Sequence, residues 1–329
     1  MPLNIAVFKG IISFAAETYS YSGINSILNL MKKLIKSATT YHKELGSEES
    51  VEREGKEILT QTVTFDDKGN VLEHIQYFPD GSIEDRVVNQ YTPEGKLLEE
   101  TLFDQGEELA ERRTMEYDEK GRPVREVKHY QDGTLDFISY RYDETGHLVE
   151  KIYGDDSGWT EKREVYSFDK DRLTSAREYD DEDKMVGETT VDYDEEGKIE
   201  ESSEWPAGEQ GGRKVTVYNE KGLIDVIKQY SESGNLIARF KYTYDEKDLV
   251  TDITEETQAG TNTSHTSYDE NGLAIMREEH SANQELNHRV ERTYDEDGNL
   301  LTSHVFINGR GRHINQHYIE RVEYVYFES

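Results

Sequence analysis

The chain contains no cysteine, and only five prolines and two tryptophans in 329 residues. Without cysteine no disulfide holds its turns together, a thiolate metal site is excluded, and an oxidising compartment has no support. No stretch approaches the roughly 18 consecutive apolar residues that a membrane-spanning helix needs. Basic residues are few as well: 38 Lys and Arg stand against 70 Asp and Glu, for a net charge of −32. Such a surface repels phosphate backbones, so direct nucleic-acid binding is not expected. Mimicry of nucleic acid by an ordered acidic surface is the opposite reading.

Apolar residues make up 34% of the chain and mean hydropathy is −0.89, values that by themselves point to disorder. What is present argues otherwise. A refrain of aromatic, Asp, two polar residues, Gly, one polar residue and an aliphatic recurs, plainest at Tyr117-Asp118-Glu119-Lys120-Gly121-Arg122-Pro123-Val124 and Tyr142-Asp143-Glu144-Thr145-Gly146-His147-Leu148. Ten copies begin at Phe65, Tyr91, Tyr117, Tyr142, Phe168, Tyr193, Tyr218, Tyr244, Tyr268 and Tyr294, spaced 24 to 26 residues apart. A fixed period in that range signals a repeat architecture.

Each refrain has the chemistry of a hairpin tip. The Asp can bond the backbone two residues on, and the Gly supplies the positive φ of a type I turn followed by a bulge. Tyr117, Asp118 and Gly121, Tyr142, Asp143 and Gly146, Tyr193, Asp194 and Gly197, and Tyr294, Asp295 and Gly298 are the clearest sets. Asp248 stands where Gly is expected, and the copy at Phe168 is one residue shorter, so both turns are expected to be looser. A weaker turn signal lies midway between refrains, as at Asp80-Gly81, Gln105-Gly106, Asp132-Gly133 and Ser233-Gly234. The chain therefore reads as mainly β: a long, curved antiparallel meander of about ten repeated hairpins, coiled into a curved wall or partial barrel. Its first strand falls near Ile58–Phe65 and its closing strand near Tyr318–Phe327, with Trp205–Gly212 and Gln258–Thr263 as mobile inserts.

Residues 1–46 differ from the rest. They hold no Asp or Arg, five Lys and two Glu, and carry about +3 while the remainder carries −35. Helical spacing of Ile24, Ile27, Leu28, Met31, Leu34 and Ile35, flanked by Lys32, Lys33 and Lys36, predicts helices over 4–18 and 23–43. This segment reads as a cap on the sheet, a docking element for a partner, or a membrane-surface anchor; Lys9 inside its apolar run argues against a signal peptide. Residues 47–60 read as a linker and first strand, and 61–329 as the repeat domain.

The composite Tyr-Asp-x-x-Gly, mid-repeat Asp-Gly and Tyr-x-Tyr-Asp resembles the YD-repeat (Rhs) family over about residues 61–329, best at Tyr117–Gly146. The resemblance implies strands wound into a shell and a bacterial setting, where such shells carry a toxin. No Asp-Pro-x-Gly segment like that family's self-cleaving core is found, and no toxin domain is recognised after the last strand.

No nucleophile constellation or phosphate-cradling loop is evident, and no cofactor is expected. His313 and His317, four apart, are the best metal candidates. Asp295-Glu296-Asp297-Gly298-Asn299 reads as a turn, since no acidic residue closes a calcium loop at the twelfth position. The adjacent Glu99-Glu100 and Glu200-Glu201 point to opposite faces and read as solvated charges. The expected function is a non-catalytic, cytoplasmic, bacterial scaffold that binds a basic protein partner, with attachment to a membrane not expected. A toxin-system component, either a shell fragment or an immunity protein against a basic toxin, is the alternative.

Overall fold

A computed structural model of the chain describes residues 33–45, 55–206, 212–309 and 315–328. Twenty-two strands, from β1 (Ile35–Glu44), β2 (Ile58–Phe65) and β3 (Val71–Tyr77) to β21 (Leu300–Ile307) and β22 (Gln316–Tyr326), form one sheet. Every sequential neighbour pairs antiparallel, and β1 pairs with both β2 and β22. Ala38 faces Val63 on one side and Tyr324 on the other. The sheet is thus a closed barrel, not the curved wall or partial barrel expected from the repeats. The reason is physical: an open edge leaves a row of unpaired backbone groups, and the two ends of this chain satisfy each other instead.

No helix occurs among the described residues, and the helix expected over 23–43 is overturned where it can be seen. Ile35 and Lys36 begin a strand, and Lys33 and Leu34 lead into it. The run Thr39-Thr40-Tyr41 favours an extended backbone over a helix. Ile24, Ile27, Leu28, Met31 and Lys32, together with the helix expected over 4–18, lie outside the described residues. The division at residue 46 falls between two paired strands, so β1 belongs to the same wall as the repeats.

The refrains fold as their chemistry requires. Asp118 N donates to Arg122 O at 2.9 Å and Gly121 N to Asp118 O at 2.8 Å, while Asp118 Oδ1 accepts from the amides of Lys120 and Arg122. Gly121 has φ +74°, a conformation that costs an L-residue roughly 1–2 kcal/mol. The two deviant copies are not looser. Asp248 takes φ 62° and its turn keeps both backbone bonds, Asp245 N donating to Leu249 O at 2.9 Å and Asp248 N to Asp245 O at 3.2 Å. The copy at Phe168 tightens to a two-residue tip, Asp169 pairing with Arg172. Gln258 and Ala259 likewise form a tight tip between paired Thr257 and Gly260.

Refrain turns gather at one mouth of the barrel and mid-repeat turns at the other. Every described residue lies in a strand, in a turn between paired strands or in a short terminal lead, so no described segment crosses the interior. Twenty-two strands about 4.8 Å apart give a perimeter of at least about 105 Å and a diameter of at least about 34 Å, widened further by strand tilt. Among the described residues nothing packs across the interior from one side of the wall to the other. Buried apolar residues among those described reduce to Val127, Val215, Val226, Ala238, Val290 and Val305. Cohesion comes from the continuous ladder and from cross-strand side-chain pairs rather than from a core.

Candidate protein-binding surface

At the refrain mouth the tyrosines do more than pair across strands. Tyr91, Tyr117, Tyr142, Tyr193, Tyr244, Tyr268 and Tyr294 each donate a hydroxyl hydrogen bond of 2.6–2.9 Å to the backbone carbonyl of the first or second residue of the strand after the preceding refrain. Tyr324 of β22 does the same to Leu300 O, which extends the series to the closing strand. Phe168 lacks the hydroxyl, and Tyr218 meets Ser202 Oγ instead.

At four copies a second interlock comes from the residue just before the next strand carbonyl. Lys96 sits over the Tyr117 ring, Arg122 over Tyr142, His147 stacks on Phe168, and Arg172 lies over Tyr193. Asp295, in the EF-hand-like stretch, is a turn: its Oδ1 accepts the amides of Asp297 and Asn299, and its Oδ2 accepts the Tyr326 hydroxyl. The refrain residues thus hold hairpin to hairpin. Hydrogen bonds from the turn hold the carboxyls of Asp66, Asp118 and Asp295 below their usual range; that of Asp143, bonded first to the Thr145 hydroxyl, is lowered to about 2.

The wall itself carries charge on both faces at mid-strand. On the tyrosine face Arg113 of β6 (Leu109–Tyr117) bridges Glu100 and Glu126 at 2.9 and 3.2 Å. On the same face Tyr153 and Tyr166 donate to Glu164 at 2.8 and 2.5 Å, with Lys151 and Lys162 beside it. Burial raises both tyrosines and opposes ionisation of Glu164, but the tyrosine hydrogen bonds and the lysines keep that carboxyl below its ordinary value. On the opposite face Glu150 joins Arg141 and Arg163 at 2.8 and 3.2 Å. Ionised groups at mid-strand cost about 2–4 kcal/mol each against hydrocarbon, so neither face offers an apolar band to lipid. Glu99 and Glu100 turn to opposite faces as expected, toward Arg112 and Arg113.

The mid-repeat mouth differs in character. Leu109, Trp159, Met185, Trp205 and Leu236 stand at the strand ends beside these turns, and each is 40–51% exposed. Both tryptophans of the chain are in this set. Between them project the exposed carboxylates of Glu107, Glu108, Asp156, Asp181 and Glu182. Two clefts open on the same mouth. One, of about 830 Å³, is lined by Leu286, Phe306 and Asn308; the other, of about 580 Å³, by Trp205, Arg213 and Tyr230. Sequence reading passed over this mouth because its apolar residues look like strand starts. The signal was there: an acidic turn followed directly by a large apolar residue.

Among the docking residues expected from the sequence, Leu34 accepts Phe327 N at 2.9 Å and Lys33 lies over the Tyr326 ring. Ile35 pairs with Tyr326, and Lys36 is exposed. These residues build the seam of the barrel. His313 lies outside the described residues. His317 meets His304, with Nε2 to Nε2 at 2.9 Å. Among the described residues no group of three or more His, Asp or Glu side chains converges as a metal centre.

No family model and no curated protein matches the sequence. Solved structures give weak likenesses. The TcdB2-TccC3 crystal structure shares 10% identity over 83% of this chain, with TM-score 0.32. The Photorhabdus luminescens Tc holotoxin pore shares 14% over 74%, with TM-score 0.30. This chain spans only 15–20% of the length of those toxin chains. A porin-like protein from Bacteroides uniformis shares 13% over 89% of this chain and 98% of its own, with TM-score 0.29. At these scores the likenesses say nothing of function.

Proposed function

We propose that this barrel is a non-catalytic binding protein of the bacterial cytoplasm whose mid-repeat mouth docks a basic protein partner. The observation that carries the reading is the alternation there of exposed Leu109, Trp159 and Met185 with acidic turn tips. Tryptophan and methionine are favoured anchors at interfaces, and charge around them steers a cationic partner and sets specificity. A net charge of −32 adds long-range attraction of the same sign. The wide interior supports a second reading within the same chemistry, a toxin-system component whose basic partner is a toxin.

The test is affinity capture from the native cell at low and high salt, followed by titration of the purified partner. Trp159→Ala with Met185→Ala is expected to weaken binding by at least about tenfold, as anchor losses do, and raising salt is expected to weaken it further. An affinity that ignores both salt and these substitutions overturns the reading.

A further inference from the structure

His304 of β21 and His317 of β22 lie diagonally on adjacent antiparallel strands: Phe306 is opposite His317, and His304 is opposite Ile319. Their Nε2 atoms share a 2.9 Å hydrogen bond, one ring's N–H donating to the other's lone pair, and the ring centroids lie 4.8 Å apart with 13° between planes. Phe306 sets its edge against His317 at 6.1 Å and limits how that ring can turn. The two imidazoles thus share one proton on the face opposite the tyrosines, and a divalent ion that releases that proton to solvent can take its place between the nitrogens.

We infer that His304 and His317 form a two-imidazole chelating site for a late first-row divalent metal ion. The spacing carries the argument. Two metal–nitrogen bonds of about 2.0–2.1 Å at a right angle span about 2.9 Å, whereas a tetrahedral angle spans about 3.3 Å. The pair is therefore pre-set for adjacent positions on a square-planar or octahedral ion, the geometry of Cu²⁺ and Ni²⁺. Glu291 pairs with His304 across the strands and is the nearest carboxylate by register, but it is held by the Arg289 guanidinium. Water fills the remaining positions, so the site is open and exchangeable. A bound ion clamps β21 to β22, next to the seam where β22 meets β1. The inference stands independently of the partner-binding reading.

The full chain, free of any histidine tag, is titrated with CuSO₄, NiCl₂, ZnCl₂ and MgCl₂ near neutral pH. One Cu²⁺ per chain is expected to bind most tightly, with Ni²⁺ and Zn²⁺ weaker and Mg²⁺ without effect. Nitrogen hyperfine structure in the Cu²⁺ electron paramagnetic resonance spectrum is expected to report two imidazoles. His304→Gln and His317→Gln are each expected to lower Cu²⁺ affinity at least about tenfold, as loss of half a chelate does. His265→Gln, whose imidazole pairs with Asp252 at 2.8 Å elsewhere on the wall, should leave it unchanged. Cu²⁺ affinity that is the same in the His304→Gln/His317→Gln double variant, or a spectrum with one nitrogen or none, overturns the assignment. Circular dichroism of each variant establishes that the barrel is intact.

Discussion

Tyr117 Oη donates a 2.7 Å hydrogen bond to the carbonyl of Leu97, twenty residues earlier and one hairpin away. The bond turns a local turn motif into a non-local tie, because it crosses from one hairpin to the next without using the strand ladder. Tyr117→Phe keeps the ring under Lys96 and removes only the hydroxyl. It should lower unfolding free energy by about 0.5–1.5 kcal/mol, read from urea melts with an unchanged slope. Tyr218→Phe, whose hydroxyl meets only a serine at 3.3 Å, should cost less.

Where this tie is missing, the wall compensates. Phe168 leaves the Leu148 carbonyl without a tyrosine, yet the strands around it carry the Arg141–Glu150–Arg163 and Tyr153–Glu164–Tyr166 groups. Glu150→Gln weakens both arginine contacts at once. A loss of about 1–2 kcal/mol is expected, while Glu94→Gln, in an exposed turn, should leave the melt unchanged.

His74 makes the barrel acid-sensitive. It is 2% exposed, its Nε2 lies 3.1 Å from Gln61 Oε1, and burial lowers its pKa to about 4. Native His74 is therefore neutral where the unfolded chain begins to protonate, near pH 6.5. Stability should be full above that value and decline as pH falls from 6.5 to 4, by at most about 3 kcal/mol from this group. The turn carboxyl of Asp143, lowered to about 2, contributes stability that is present above about pH 4 and is lost only as pH falls from there toward 2. Urea melts of the wild type and His74→Gln at pH 7, 5 and 4 should diverge in the first window only.

Two turn substitutions should act in opposite directions. Gly121→Ala places a side chain at φ +74° and against the Lys96 side chain, which should cost about 1–2 kcal/mol. In the mid-repeat turn after Phe103, Gly106 falls one residue early and Glu107 itself adopts φ 56°. Glu107→Gly should therefore stabilise, by about 0.5–1 kcal/mol. Thermal melts of both variants test the pair.

Removing residues 1–46 takes a wall strand away, since β1 pairs with both β2 and β22. Two bare edges result, and such a truncation should associate or aggregate. A chain starting at residue 33 keeps every described wall hydrogen bond and should elute as one species on size-exclusion chromatography.

Much of the barrel was legible in the chain, and for a stated reason. The turns are built from local chemistry, so Asp118, Gly121 and their equivalents predicted the hairpins, and Ile58–Phe65 is a strand as expected, though the second rather than the first. Closure was not legible, because the pairing of Ala38 with Tyr324 spans the whole sequence and neither residue marks its partner. The apolar stripe ending at Ile35 has helical period, and it masked the β-branched run that follows. The tyrosine ties could have been suspected from one sign: eight of the ten refrains begin with Tyr, not Phe, and a hydroxyl is wasted on packing alone.

The ten refrain hairpins supply twenty strands, and the remaining two, β1 and β22, meet without a connecting turn, through backbone hydrogen bonds and side-chain contacts. The molecule is topologically a circle with a single nick. An antiparallel circle admits only even strand numbers, so whole repeats can be gained or lost without disturbing parity, while loss of a single strand cannot be absorbed. With Phe327 N only 2.9 Å from Leu34 O, the nick can also be sealed and reopened at any refrain turn, giving a family of circular permutants of one ring.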